Sequence, residues 1–214
     1  MGNEKKCILG LDVSTKTIGI SLFEDLGDKG KLLKLTHVSP NVKPKPLNSL
    51  ELLMKKAQVF ELEFLQEYAD YGIERVIIEE PLMGSNNINT VATLIRFNGM
   101  ICKSVYEVLN IVPEFISSYD ARRYAFPELM EIRKIKTNGE PYTPKEISNK
   151  KPSLFGGYKQ DIDKKVVIWE KVNSREPLVE WIYDKNQKLA KETYDLSDAY
   201  TCVLGYMQKN NLWK

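Results

Sequence analysis

Acidic side chains stand at the ends of apolar runs in three separate parts of this sequence. Asp12 closes the run from Cys7 to Leu11, Glu79 and Glu80 close the β-branched run that starts at Arg75, and Asp195 and Asp198 stand three apart at the mouth of the last helical pattern. A single acid of this kind is an ordinary turn former or helix-end residue. Four of them drawn to one place repel one another and need cations to neutralise them. Carboxylate oxygens are hard ligands that suit Mg2+ or Mn2+, and two such ions about 4 Å apart activate water and stabilise the leaving oxygen of a phosphodiester. Asp12, one of Glu79 and Glu80, Asp195 and Asp198 therefore point to metal-assisted hydrolysis. Other chemistries lack their parts. His37 is the single histidine, so no two-histidine metal box can form, and its mid-strand position suits a structural role. Cys7, Cys102 and Cys202 are far apart among apolar neighbours, as reduced core thiols are.

The elements that must position these acids follow from hydrophobic period. Cys7 to Leu11 and Ile18 to Phe23 read as two strands around the small polar turn Ser14 to Thr17, a hairpin with Asp12 at its mouth. A turn cluster from Asp25 to Gly30 leads to a third strand, Lys31 to Val38, and Pro40 to Pro46 is an extended connection. Apolar residues at three- and four-residue steps predict a helix from Asn48 to Tyr71, with Asn48 and Glu51 as a capping pair and Gly72 as its stop. The strand ending at Glu79 and Glu80 comes next, then a helix from Thr90 to Leu109 and a strand from Val112 to Ser118, an order that implies a parallel pair. Ile162, Val166, Trp169 and Val172 mark a helix ending near Asn173; Pro177 opens another containing Leu178, Trp181 and Ile182; the last begins near Ser197. The predicted class is α/β, an antiparallel three-stranded meander joined to parallel strands through helices.

At 214 residues, 43% of them apolar, the chain can bury one sizeable core, and it reads as a single domain over 1–214. It has no apolar stretch long enough for a membrane span and its first residues are polar rather than signal-like, so a cytoplasmic protein is expected. The net charge of +2 neither demands nor excludes nucleic acid, but its distribution is uneven. From Tyr119 to Tyr158 periodicity weakens, and Arg122, Arg123, Arg133, Lys134, Lys136, Lys145, Lys150, Lys151 and Lys159 interleave with Tyr119, Tyr124, Phe126, Tyr142, Phe155 and Tyr158. Together with Pro141, Pro144, Pro152 and Gly156-Gly157 this reads as a long basic loop excursion, at about 127–160, that contacts phosphate.

Three motifs in order carry a family resemblance. Ile8-Leu-Gly-Leu-Asp-Val-Ser-Thr-Lys-Thr-Ile-Gly19, Ile77-Ile-Glu-Glu-Pro-Leu-Met83 and Asp195-Leu-Ser-Asp-Ala199 together resemble the RuvC-type Holliday junction resolvases of the RNase H-like, retroviral-integrase superfamily. Ser118-Tyr-Asp-Ala-Arg-Arg-Tyr124 resembles the segment that precedes that family's DNA-binding loop. The resemblance implies an RNase H-like mixed five-stranded sheet flanked by helices, with Asp12, Glu79, Asp195 and Asp198 holding two Mg2+ ions, for which Mn2+ can substitute. Aligning Ile78-Glu79 with the family's apolar-then-Glu strand end selects Glu79 over Glu80. The implied substrate is four-way junction DNA, held through Arg122, Arg123, Lys150, Lys151, Lys159 and Lys164. Two symmetric cuts imply a homodimer, with the helix from Thr90 to Leu109 as its interface. The excursion from Pro127 to Tyr158 is longer than in compact bacterial members, as in a phage-encoded or divergent resolvase. Sugar kinases and actin-like ATPases share a similar first hairpin, but 214 residues are too few for their two lobes. A nuclease for flaps, forks or RNA–DNA hybrids, or a non-catalytic branched-DNA-binding module on the same fold, is the alternative.

Overall fold

The computed structural model describes residues 5–81 and 87–214. Leu82 and Met83, the end of the second motif, lie outside the described residues. A five-stranded sheet forms the centre, in the order β3-β2-β1-β4-β5. Its strands are β1 (Cys7–Val13), β2 (Ile18–Asp25), β3 (Gly30–Val38), β4 (Ile73–Glu79) and β5 (Glu114–Ile116). The first three pair antiparallel, and β1–β4 and β4–β5 pair parallel. The sheet is thus the predicted meander joined to parallel strands.

Alternation along β1 decides what each face does. Cys7, Leu9, Leu11 and Val13 point to one face, where they pack with α1 (Ser49–Phe60) and α2 (Ile88–Leu109) through Phe60, Phe64, Phe97 and Ile101. Ile8 points to the other, into a second core built with α3 (Ser118–Ala125), α5 (Lys164–Arg175) and α6 (Lys191–Lys209). Gly10 and Asp12 share the period of Ile8, so Asp12 belongs to the α6 side. Two glycines let α6 lie against the sheet there. A Cβ on Gly10 would stand 2.4 Å from Val203 Cγ2, and one on Gly19 would stand 2.1 Å from the Asp195 carbonyl oxygen. The Ser21 hydroxyl donates to the Ala199 carbonyl at 2.9 Å across the same seam.

Several elements differ from expectation. The helix after Asn48 is capped as predicted, Asn48 Oδ1 accepting from the Leu50 and Glu51 amides, but its end passes through a π-helical turn (Glu61–Leu65) and a 3-10 turn (Ala69–Tyr71) before Gly72. That widening keeps Phe60, Phe64, Leu65 and Tyr68 all buried. The helix expected from Pro177 is absent. In its place a turn closed by Asp184, whose carboxylate accepts from the Asn186 and Lys188 amides, pairs Tyr183 with Leu189. The apolar residues there pack without a helix, Trp181 lying edge-on to Trp169 and donating its indole N–H to Asn173. The last helix starts at Lys191, six residues before Ser197. The excursion is not a bare loop: β6 (Met130–Glu131) pairs with β7 (Ser153–Leu154), and α4 (Pro144–Ser148) carries a Thr143–Glu146 capping box. Among the described residues no helix is long and apolar enough to cross a membrane.

Candidate active site

Asp12, Glu79, Asp195 and Asp198 line one cavity of about 280 Å³. Asp12 comes from β1, where its register partner on β2 is Gly19. Leu11 pairs with Ile78 on β4, so Glu79 follows directly alongside Asp12. Asp195 and Asp198 share one face of α6 with Cys202, at helical spacings of three and four. The missing side chain at Gly19 lets the Asp195 turn of α6 come down beside Asp12. Glu80 also borders the cavity but is exposed, and its amide donates to the Ile116 carbonyl at 2.9 Å.

Charge is unbalanced inside the cavity. Burial pushes Asp12 well above the ordinary carboxylate range, and the charges of Glu79, Asp198 and Asp195 push it further. Glu79 is pushed up to about 7 by burial and Asp198, with Arg122 and Lys165 acting the other way. Asp195 is pushed up to about 6, mainly by burial. The Cys202 thiol, fully buried with Sγ 3.9 Å from Glu79 Oε2, is raised by burial and by the Glu79, Asp12 and Asp198 charges. Asp195 Oδ2 is buried and has no hydrogen-bond partner. A buried orphan carboxylate oxygen beside three more carboxylates is what a hard divalent cation would satisfy. Among the described residues no three His, Cys, Asp or Glu side chains converge closely enough, as they stand, to close around one ion. Asp198 is instead drawn toward α3 and α5. Its Oδ1 accepts from Arg122 Nη2 at 2.9 Å, and its Oδ2 lies 3.9 Å from Lys165 Nζ.

No family model and no curated protein matches the chain by sequence. Solved structures match it in fold. Thermus thermophilus RuvC in complex with a Holliday junction substrate matches with a TM-score of 0.58 and 10% identity, over 95% of this chain and 96% of that one. A second Thermus thermophilus RuvC structure matches with a TM-score of 0.53 and 12% identity, over the same shares. The chain has the fold of RuvC. At such identities the likeness is one of fold, spanning nearly the whole of both chains.

Within this RuvC fold the predicted DNA-contacting residues divide. Arg122 is carried by α3 into the cavity, its side chain 17% exposed. Arg123, the next residue, is exposed and lies 5.2 Å from the centre of the Tyr124 ring. Lys150 holds its ammonium 3.6 Å over the Tyr142 ring on the excursion, and Lys136 approaches the same ring at 5.3 Å. Lys151 and Lys159 are exposed, Lys159 lining a separate cavity of about 560 Å³ with Arg133, Lys136 and Tyr158. Lys164 is exposed at the first turn of α5, away from the carboxylates. Its neighbour Lys165 is the one that reaches the cavity, as does Lys191 at the start of α6. Sequence reasoning passed over both, since one more lysine in a lysine-rich stretch carries no signal. Helix phase could have found Lys165, which lies three residues before the buried Ile168 and seven before the buried Val172, on the same side of α5.

Proposed function

We propose that the protein is a divalent-metal-dependent, structure-specific endonuclease that cleaves four-way DNA junctions. The observation that carries this reading is the convergence of Asp12, Glu79, Asp195 and Asp198 on one cavity of a RuvC fold. In this reading the four carboxylates hold two Mg2+ ions, with Mn2+ able to substitute. Bound there, the ions supply activation of water and stabilisation of the leaving oxygen. The protein's own contribution is preorganisation. β1, β4 and α6 bring the carboxylates to one cavity against mutual repulsion before substrate arrives, leaving a small adjustment for the ions to complete. Lys165 and Lys191 at the rim draw a phosphodiester toward an otherwise acidic opening.

Branched DNA is the partner that the basic surface suits. Arg123, Lys150, Lys151, Lys159 and Lys164 offer phosphate contacts, and aromatic rings interleave with them along the excursion. Paired cuts on a two-fold junction call for two sites, hence a homodimer. Ile88, Ile95 and Tyr106 leave α2 with an exposed apolar side, at 79%, 42% and 52% exposure, which supports α2 as the interface. A solution mass of twice 24.6 kDa by light scattering checks this.

The deciding experiment incubates the protein with end-labelled four-way junction, fork, flap and RNA–DNA hybrid, each with Mg2+ or EDTA. Symmetric Mg2+-dependent nicks near the junction centre are expected. Preferred cutting of flaps, forks or hybrids would move the assignment to another RNase H-like nuclease, and tight junction binding without cutting would make it a binding module.

A further inference from the structure

The pair between Arg122 and Asp198 is built differently from a structural salt bridge. Arg122 stands on α3, and α3 is locked to α6 where Gly205 faces Ala121: a Cβ on Gly205 would lie 2.2 Å from the Ala121 carbonyl oxygen. That contact delivers the guanidinium into the cavity rather than to solvent. Once there it uses few of its donors. Nη2 donates to Asp198 Oδ1 at 2.9 Å, while Nε is buried with no partner. A guanidinium kept for stability alone is normally saturated, because each buried unpaired donor costs free energy. In the lining of the same cavity, Asp195 Oδ2 is buried and equally unpaired. Of the four candidate ligands, Asp198 is thus already paired with a buried protein cation, and Asp12, Glu79 and Asp195 are not. The other cation near Asp198, Lys165, is 3.9 Å away and 46% exposed, and so is largely screened.

We propose that Arg122 is the resident counter-ion of this site: its guanidinium occupies Asp198 when no metal is bound, and a divalent cation completes its ligand set by taking Asp198 from it. The proposal rests on the metal-site reading above and deepens it. It accounts for two facts together, the failure of the acids to close around one point and the unsatisfied donor of the arginine. Arg122 is a positioning residue here. Because the two cations compete for one carboxylate, their coupling is reciprocal: metal binding loosens the arginine, and removing the arginine tightens the metal.

The test measures metal binding without DNA. Mn2+ is titrated calorimetrically into the full chain, comparing the parent with Arg122→Gln, Arg122→Lys and the exposed neighbour Arg123→Gln. Arg122→Gln is expected to bind Mn2+ about tenfold tighter, equivalent to ~1.4 kcal/mol. Arg122→Lys, which keeps the charge, and Arg123→Gln should stay near the parent. Equal or weaker binding by Arg122→Gln would overturn the competition while leaving the metal site intact. A parent that binds no Mn2+ would instead overturn the metal-site reading and, with it, this one. Should Arg122→Gln fail to fold, the parent decides alone. The Arg122 Nε–H resonance should move on Mg2+ titration with the same midpoint as metal binding, and a resonance that stays fixed while Mg2+ binds would refute the exchange.

Discussion

Replacing Glu79 with Gln should separate the chemistry of this cavity from its stability. Burial and the Asp198 charge lift Glu79 from its ordinary 4.5 to about 7 in the folded protein. Between those values the folded state holds a proton that the unfolded chain has lost, so stability falls as pH rises. The contribution is fully present below about 4.5 and is lost as pH passes through about 7. At ~1.4 kcal/mol for each tenfold change, this interval amounts to about 3 kcal/mol. Asp195, displaced from 3.8 to about 6, acts in the same direction. Denaturant melts in EDTA should therefore show the parent losing stability between pH 5 and 8. Glu79→Gln cannot make this titration, so its melts should be flatter over that range and more stable than the parent at pH 8. With Mg2+ and a four-way junction, the same variant should lose cleavage by orders of magnitude. Glu80 is exposed at the rim, and Glu80→Gln should retain most of both properties. Identical pH slopes for parent and Glu79→Gln would refute the electrostatic argument. An active Glu79→Gln beside a dead Glu80→Gln would refute the assignment of the ligand.

Asp12→Asn should abolish Mg2+-dependent cleavage yet leave junction binding by gel shift mostly intact, because it removes a metal ligand and no phosphate contact. Near-parental cutting would refute its role. Replacing Lys150, Lys151 and Lys159 together with Ala should weaken junction binding and flatten its dependence on salt by up to about 3 in the log–log slope; an unchanged slope would return these lysines to ordinary surface. Gly205→Ala puts a methyl group 2.2 Å from the Ala121 carbonyl oxygen, so it should cost roughly 1–3 kcal/mol in denaturant melts by forcing α3 and α6 apart.

Much of this fold was legible in local pattern. Alternation and β-branched runs marked the strands, and three- and four-residue steps marked α1, α2 and α5, since the side-chain period of an element depends only on its own backbone. Asp12 was legible for the same reason, as an acid at the end of an apolar strand. The start of α6 was not. Ala190 precedes it with no side-chain cap, so nothing in the sequence separates Lys191 from the loop before it, and Asp195 was placed a turn too early. The segment after Pro177 has apolar spacing enough for a helix, but the Asp184 turn and the Trp169–Trp181 contact hold it otherwise. The fate of the basic residues was the least legible. By type Arg122 and Arg123 are the same, as are Lys164 and Lys165. Only the docking of α3 against α6 through Ala121 and Gly205, 84 residues apart in the chain, turns Arg122 inward and leaves Arg123 in water. Such contacts are made between elements distant in sequence, so the sequence names the charges while the tertiary packing decides which of them meet.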